Sequence, residues 1–228
     1  MSRAERDDIN LGGARNVAQA AIANKVRRFI HASSVAAYDP EVIRGKDNVD
    51  EEFPIGKGDS FFYYANGKAM VEQTLNESLA SSDAVFTVLR PYYIMGPRNT
   101  ATVEFLRANA ASYRDGNPRL QYVHEDDVAS AFVQAVKTDL PGAYNVAPDD
   151  WLCWNDAVRI MGKDPSKAIP SWLARVILAF TWRFLGAPTH PVWVRCLFVD
   201  FVVSNAKLRA TGWSPQYNSE EALRAALQ

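Results

Sequence analysis

The sequence predicts an α/β protein with a parallel sheet, on three observations. Segments of helical periodicity alternate with short apolar segments through residues 1–150. The segment AVFTVLRP, residues 84–91, stays apolar almost throughout and stops at a proline, as expected of a strand buried in a parallel sheet. Beyond it, residues 151–228 become helical and aromatic-rich, with four of the six tryptophans between Trp151 and Trp182. We therefore expect a catalytic α/β part over 1–150 and a smaller helical lobe over 151–228 that returns to the core.

The N-terminal elements follow from periodicity and from breaker residues. A helix is predicted from about Asn10 to Asn24, with Val17, Ala20, Ala21 and the small residues between them on its packed face. A strand is predicted over VRRFIHASS, which ends at a serine pair. The Gly- and Asp-rich stretch 39–59 predicts a long loop, and loops of that length are usually functional or poorly ordered. The next segment, 63–80, predicts a helix whose packed face comprises Ala65, Ala69, Glu72 and Leu75.

The later elements are shorter. We predict a helix over 102–110, a strand over 120–124 and another strand over 142–147. Between these strands, EDDVASAFVQAVK opens with acidic residues, which complement the positive end of a helix dipole. The second half of the α/β part is therefore expected to repeat the strand and helix alternation.

Composition excludes several functional classes. The chain has 25 basic and 26 acidic residues, without basic clusters, so a nucleic-acid partner is not expected. Cys153 and Cys196 lack C-x-x-C spacing and do not group with the histidines, so no metal site is predicted. Residues 1–10 are polar and charged, unlike a secretory signal, and a reduced, cytoplasmic setting is expected.

The longest apolar run covers residues 169–188. Arg175 and Arg183 interrupt it, which argues against a membrane-spanning helix. Four apolar side chains recur in it at helical spacing: Trp172, Val176, Phe180 and Phe184. This face has two interpretations, burial against the rest of the fold or contact with a membrane surface or partner.

A tyrosine and a lysine in YYANGK have a spacing that suits proton transfer. Tyr64 and Lys68 are four positions apart, so on a helix they share a face, while Tyr63 is out of register and is expected to pack. A nearby ammonium favours phenolate, so Lys68 is expected to lower the pKa of Tyr64. Nine tyrosines and eight lysines give about 0.3 such pairs by chance, so the pair alone is a weak signal.

Two polar residues after predicted strands are further candidates. Ser34 ends the strand before the pair, where parallel sheets bind ligands, and its hydroxyl could hold a substrate oxygen. It could equally be a cap or turn residue. His124 follows another strand, and capping or packing is the preferred interpretation for it.

The order of these motifs resembles that of a known superfamily. The segments are NLGGARNVAQAAIANKVRRFIHASSVAAY, YYANGK, VLRPYYIMGPRN, YVHEDDVASAFVQAV, GAYNVA and LRATGWSP. Together they resemble the extended short-chain dehydrogenase/reductase superfamily, most closely its 3β-hydroxysteroid dehydrogenase and NAD-dependent epimerase/dehydratase group. The resemblance implies the C-terminal part of a Rossmann-type sheet domain with a small helical substrate lobe.

The resemblance also implies roles for individual residues. Ser34, four residues before the tyrosine of SVAAY, matches the catalytic serine, and Tyr64 with Lys68 matches the Tyr-x-x-x-Lys pair. The tyrosine would exchange the substrate proton, while the lysine would hold the nicotinamide ribose. Pro91, Tyr93 and Ile94 resemble the wall beside the nicotinamide. Arg98 would either meet a polar substrate group or form a loop salt bridge.

Members of the superfamily begin with a strand, a glycine-rich turn and a helix that bind the cofactor pyrophosphate. These are absent from the 228 residues, since Gly12 and Gly13 lie in the first helix pattern and GKGDSF lacks the third glycine. We therefore expect weak or no NAD(H) binding by this polypeptide and an open edge at the first strand. The explanations, in falling order, are a truncated product, a split enzyme completed by another chain, and a cofactor-free binding protein.

The sequence interpretation favours an NAD- or NADP-dependent oxidoreductase of a secondary alcohol or ketone, impaired when alone. The apolar C-terminal segment favours a steroid-like or other hydrophobic small-molecule substrate. The alternatives are a nucleotide-sugar epimerase or dehydratase and a non-catalytic pseudoenzyme. A homo-oligomer or a completing chain would cover the open edge.

Overall fold

A computed structural model describes residues 5, 8–58, 60–99, 103–104, 106–107, 110–186 and 190–228. The strands are β1 (Arg28–Ala32), β2 (Val85–Pro91), β3 (Tyr93–Met95), β4 (Arg119–Leu120), β5 (Tyr122–His124), β6 (Gly142–Val146) and β7 (Leu152–Cys153). The helices are α1 (Gly13–Ala23), α2 (Pro40–Ile43), α3 (Tyr63–Leu79), α4 (Glu125–Lys137), α5 (Trp154–Ile160), α6 (Ser171–Phe184), α7 (Val192–Leu197), α8 (Ala206–Arg209) and α9 (Ser219–Ala226). A π-helical turn over Asp8–Gly12 leads into α1.

The predicted parallel sheet is confirmed. Its strand order is β1-β2-β6, with both pairs parallel. The central strand β2 is buried from Thr87 to Pro91, which explains its largely apolar pattern. In the described part of the chain, β1 pairs with β2 alone, so its other edge has no strand beside it.

The predicted strand over 120–124 is divided between two small sheets. β4 pairs antiparallel with β7, whereas β5 pairs parallel with β3. The break falls at Gln121, whose buried side chain accepts a hydrogen bond from the Val203 backbone N–H and donates to the Pro148 carbonyl. Residue periodicity could not show this break because Gln121 is buried like its apolar neighbours.

The first predicted helix forms, and its predicted packed face is confirmed in part. Ala18 and Ala21 are buried, and Ala18 packs with Leu75 and Leu79 of α3. Val17, assigned to that face by sequence, is 58% exposed. The α3 prediction is confirmed in full, since all four residues assigned to its face are buried.

The largest cluster of buried side chains joins both halves of the chain. It includes Tyr38 and Tyr122 from the α/β part and Trp154, Val194 and Leu223 from the helical part. A division at residue 150 therefore remains a prediction. The predicted helix over 102–110 is described only in part, and residues 103–104 and 106–107 of it are helical.

Helix α6 contradicts one of the two interpretations of the apolar run. Trp172, Val176, Phe180 and Phe184 are each more than half exposed, so burial against the fold is wrong for these side chains. The stretch 187–189 lies outside the described residues. No described helix combines the length and the apolar character that crossing a bilayer requires.

Candidate active site

Two of the three predicted residues converge above the C-terminal ends of the parallel strands. Ser34 lies two residues beyond β1, and Tyr64 lies in the first turn of α3. The side chains of Ser34 and Tyr64 line the same cavity, and the Ser34 hydroxyl lies close enough to lower the pKa of the Tyr64 phenol. Ser34 Oγ also accepts a 3.2 Å hydrogen bond from the Ala36 N–H, so the capping interpretation holds as well.

Lys68 lies one helical turn beyond Tyr64. Its Nζ is 5.8 Å from the centre of the Tyr64 ring and donates a 3.0 Å hydrogen bond to the Ala32 carbonyl at the end of β1. Lys68 therefore lies near the C-terminal end of β1, as Ser34 and Tyr64 do. The pKa of Lys68 is lowered overall, because burial lowers it by more than the nearby carboxylate of Glu72 raises it.

The predicted lowering of the Tyr64 pKa by Lys68 is wrong for this structure. Desolvation of the phenol raises the pKa of Tyr64, and the nearby Ser34 hydroxyl opposes that rise. The ammonium of Lys68 is directed to the Ala32 carbonyl rather than to the phenol oxygen. Tyr64 is therefore a protonated phenol at neutral pH, suited as it stands to donate a proton.

A cavity of about 560 Å³ lies next to the Ser34 and Tyr64 side chains. We call it the substrate cavity. The segment after β2 forms one wall, and the C-terminal helical part forms the opposite wall. Large aromatic side chains are prominent in its lining: Phe62, Tyr92, Tyr113, Trp154, Trp193 and Phe201.

The substrate cavity has little charge. Among the described residues that line it, Asp200 is the one with a charged side chain. The guanidinium of Arg119 pairs with that carboxylate at 3.1 Å. The cavity therefore suits an uncharged, largely apolar group better than a phosphate.

A second cavity, of about 550 Å³, lies on the other side of Tyr64. It is bounded by α1, β1 and α3, and Lys68 and His31 line it. Tyr64 lines both cavities. A group bound in either cavity would thus lie beside the same phenol.

His31 is a polar residue in this second cavity. Its Nε2 is buried and has no hydrogen-bond partner among the described residues. Burial and the positive charge of Lys68 lower its pKa to about 4, while Glu72 opposes the change. The imidazole is therefore neutral near pH 7.

This environment predicts a pH-dependent stability. Between the unfolded pKa of about 6.5 and the folded value near 4, the unfolded chain binds more protons, so stability falls with falling pH. The contribution of His31 is complete above pH 6.5 and is lost progressively toward pH 4, by at most about 3 kcal/mol. Urea unfolding at several pH values should show a shallower decline for His31→Gln than for the unchanged chain. Parallel profiles would contradict the assignment.

A buried ion pair between β2 and α3 lies next to the candidate site. Arg90 of β2 and Glu72 of α3 form two-point hydrogen bonds, with Nη2 to Oε2 at 2.6 Å and Nε to Oε1 at 3.1 Å. The Ser33 hydroxyl donates to the same carboxylate, and the guanidinium lies 4.7 Å from the centre of the Tyr38 ring. The hydroxyl of Tyr38 in turn donates to Asn145 at 2.8 Å. Ser33 precedes Ser34, so this network fixes the backbone beside the candidate catalytic residues.

The residues predicted for the nicotinamide wall lie together. Pro91, Tyr93 and Ile94 all line the substrate cavity. Burial of the phenol, together with the nearby Cys196 and Tyr64, raises the pKa of Tyr93. Their contact with a cofactor remains a prediction.

Other candidates have structural roles. Arg98 is 72% exposed and pairs with Glu125 and Asp126, so of its two interpretations the loop salt bridge is observed. His124 caps α4 through a hydrogen bond from the Asp126 N–H to Nδ1, and its ring stacks on Tyr217 at 3.9 Å. The capping interpretation of His124 is therefore confirmed.

Tyr63 packs beside Tyr64 without facing the substrate cavity. Its ring contacts the rings of Phe62 and His190, at centroid distances of 5.8 Å and 6.4 Å. It lines the second cavity and is 41% exposed. The expectation that Tyr63 packs rather than joins the Ser34 site is confirmed.

Sequence reasoning missed the C-terminal wall of the substrate cavity. Trp193, Cys196 and Phe201 line it, and the Trp193 ring lies 6.3 Å from the Tyr64 ring. The helical, aromatic pattern after residue 151 indicated a substrate lobe but not which side chains face the site. Within the described residues, no group of three or more metal-ligating side chains is present.

Comparison with known sequences identifies one family. Residues 2–147 match the model of the NAD dependent epimerase/dehydratase family. The chain is 37% identical over 98 residues to the N-acetyl-alpha-D-glucosaminyl-diphospho-ditrans,octacis-undecaprenol 4-epimerase of Escherichia coli O157:H7. The aligned segment covers 42% of this chain and 28% of that protein. The chain spans between 28% and 56% of the length of the curated relatives that it matches.

Solved structures share the fold at low identity. The UDP-glucose 4-epimerase of Thermotoga maritima, solved with UDP-glucose, has a TM-score of 0.73 at 19% identity, covering 99% of this chain and 70% of that chain. The dTDP-glucose 4,6-dehydratase of Bacillus anthracis, solved with NAD, has a TM-score of 0.70 at 15% identity, covering 100% of this chain and 69% of that chain. These likenesses confirm a Rossmann-type fold.

The motif order, the parallel sheet and the family match agree. The steroid dehydrogenase subgroup, the cytoplasmic setting and the fragment interpretation remain predictions. The match extends over more than half of the chain, from residue 2 to residue 147. The chain belongs to the NAD dependent epimerase/dehydratase family, whose members depend on NAD(P).

Proposed function

We propose that Ser34 and Tyr64 form the proton-transfer centre of an NAD-dependent epimerase or dehydratase that acts on a secondary alcohol carbon. The observation that carries this proposal is that Ser34 and Tyr64 line the same cavity, while Lys68, one turn further along α3, is bonded to the end of β1. The family match favours this class over the net dehydrogenase that the sequence alone favoured. In an epimerase or dehydratase, the hydride removed from the substrate is returned to it.

The second cavity offers groups that fit the nicotinamide end of the cofactor. Lys68 lines it, and the unpartnered Nε2 of His31 supplies a buried polar atom beside that ammonium. Lys68 would hold the ribose hydroxyls from the second cavity, and Pro91, Tyr93 and Ile94, which line the substrate cavity, would bound the nicotinamide on the side of the substrate. When bound, the cofactor supplies the hydride acceptor and donor. The 228 residues contain no G-x-G-x-x-G segment for the pyrophosphate.

The residues of the chain would divide the proton chemistry between them. Ser34 donates a hydrogen bond to the substrate oxygen and fixes it beside the phenol. Tyr64 then exchanges a proton with that oxygen, as a base in the oxidative direction and as an acid in the return. Because desolvation raises the pKa of Tyr64, the oxidative direction should speed up as pH rises toward that pKa.

A net dehydrogenase of a hydrophobic alcohol is the second candidate, favoured by the cavity lining. The lining is aromatic and apolar, and no lysine or arginine occurs among its described residues. A nucleoside diphosphate would therefore find no cation there to pair with its phosphates. The Escherichia coli relative is named for an undecaprenol-linked substrate, so an apolar substrate portion is also consistent with an epimerase.

One assay separates the two candidates. The full chain is incubated with either UDP-glucose or a 3β-hydroxysteroid and with a large excess of NAD⁺, because weak cofactor binding is expected without the glycine-rich turn. NADH is followed by absorbance and the products by NMR. For an epimerase or dehydratase, we expect product without net NADH accumulation. NADH accumulating in proportion to a ketone product would instead establish the dehydrogenase. Product formation that is unaffected by omitting NAD⁺ would contradict both.

A further inference from the structure

We propose that the exposed side of α6 is a docking surface for an anionic lipid membrane. We call this surface the outer face and define it by Trp172, Val176, Phe180 and Phe184. Their exposed fractions are 57%, 56%, 56% and 67%. The rings of Phe180 and Phe184 are in contact, at a centroid distance of 5.0 Å.

The opposite side of α6 is already packed. Ala174 is buried in the largest core cluster, and Leu178 packs against that cluster and lines the substrate cavity. The inner side of the helix therefore makes the contacts with the core, and the outer face takes no part in them. A contiguous apolar surface of this kind marks an interaction site, because isolated exposed apolar residues would not recur at every helical turn.

The charges on α6 indicate the chemistry of the partner. Arg175 and Arg183 are exposed, and residues 171–186 contain no acidic residue. The acidic side chain bonded to the start of the helix, Asp115, accepts hydrogen bonds from the backbone N–H and the hydroxyl of Ser171. A partner surface that combines apolar chains with negative charge complements both features, and anionic lipid does so.

Aromatic residues near both ends of the helix fit the same partner. Trp172 lies in the first turn and Trp182 in the last, and both are exposed. Tryptophan favours the interface between headgroups and acyl chains, and arginine side chains can extend from it toward the phosphates. At about 1.5 Å per residue, the 14 residues of α6 span about 21 Å, so the helix would lie in the interface.

A second copy of the chain fits the outer face less well. In a two-fold symmetric contact, each α6 would face its own copy. The contact would therefore bring together arginines with no acidic partner on either helix. Like charges across an interface oppose association, whereas the same arginines are attracted to anionic headgroups.

Vesicle co-sedimentation tests the proposal with the full chain. Vesicles are made of phosphatidylglycerol and phosphatidylcholine in equal parts, or of phosphatidylcholine alone. We expect the partition coefficient to be about tenfold higher on the anionic vesicles. We also expect Phe180→Glu to lower anionic binding by about tenfold, because it adds a negative charge and removes an inserted ring. The double variant Arg175→Gln and Arg183→Gln should lose most of the preference for anionic vesicles.

The matched control is Val133→Glu, on the surface of α4. Val133 is 49% exposed, so the substitution places the same charge on another helix without disturbing the core. It should bind vesicles like the unchanged chain, and circular dichroism should show all variants folded. Failure of the unchanged chain to bind anionic vesicles, or undiminished binding by Phe180→Glu, would overturn the proposal. The proposal would also be overturned by a third result. In it, the unchanged chain forms a dimer in sedimentation velocity, Phe180→Glu abolishes that dimer, and no vesicle binding is found.

Discussion

Replacing Tyr64 by phenylalanine is expected to reduce turnover of the substrate found in the NAD⁺ assay by about a hundred- to ten-thousandfold. The phenylalanine ring keeps the contacts with Phe62 and Trp193 but lacks the hydroxyl that lies beside Ser34. No other described residue lines both cavities, so no other hydroxyl is available at that place. The measurement is the initial rate of product formation, with the thermal midpoint recorded alongside.

Tyr63→Phe is the control for this substitution. The two tyrosines are adjacent and both line the second cavity, but Tyr63 is outside the lining of the substrate cavity, where the substrate oxygen would lie. Its variant should therefore retain nearly the full rate, with a similar thermal midpoint. If Tyr64→Phe turns over at the rate of Tyr63→Phe, the assignment of Tyr64 as the proton carrier is wrong.

A pH profile distinguishes proton transfer from a packing role for Tyr64. Desolvation raises the pKa of its phenol, so the phenolate form needed for oxidation becomes more abundant as pH increases through the neutral range. The unchanged chain should therefore oxidise its substrate faster at alkaline pH. The residual rate of Tyr64→Phe should lack that dependence, because the variant has no phenol to titrate.

Local signals in the sequence were sufficient for the elements that carry the site. The helix from residue 63 follows from its periodicity and the helix over 125–137 from its acidic first turn, and both form as predicted. The i to i+4 spacing of Tyr64 and Lys68 likewise placed both on one side of α3. What the spacing could not give was the direction of the ammonium. That direction depends on the Ala32 carbonyl, which is distant along the chain.

Features that depend on distant neighbours were not predictable from one sequence. Whether the apolar stripe of α6 is buried depends on what packs against it, and periodicity reports only that a stripe exists. The cavity wall formed by Trp193, Cys196 and Phe201 depends in the same way on how the C-terminal helices return to the sheet. The parallel direction of the strands, by contrast, was implied by buried strands joined through helices.

One buried interaction could have been predicted from the sequence. Glu72 falls on the packed face of a predicted helix, and Arg90 ends an otherwise apolar strand. A charge at a buried position requires a partner. Opposite charges at two such positions are therefore a sequence signal for the ion pair between α3 and β2, although their register is visible only in the structure.

Breaking this ion pair should cause a large loss of stability. The Arg90 and Glu72 side chains are 6% and 4% exposed, and Nη1 of Arg90 has no hydrogen-bond partner among the described residues. Glu72→Ala leaves the guanidinium buried without a counter-charge and removes the acceptor of the Ser33 hydroxyl. We expect the free energy of unfolding to fall by about 3–5 kcal/mol. Urea unfolding followed by circular dichroism measures this loss.

Two further variants separate charge burial from lost packing. In the double variant Glu72→Leu and Arg90→Met, no uncompensated charge remains, so it should be clearly more stable than Glu72→Ala. On α9, Glu220→Ala breaks an exposed pair with Arg224 and should change stability by no more than about 0.5 kcal/mol. A double variant no more stable than Glu72→Ala would show that packing, not the buried charge, dominates. Because Ser33 precedes Ser34 and Glu72 lies one turn beyond Lys68, the network that stabilises the sheet also holds the candidate catalytic residues in place.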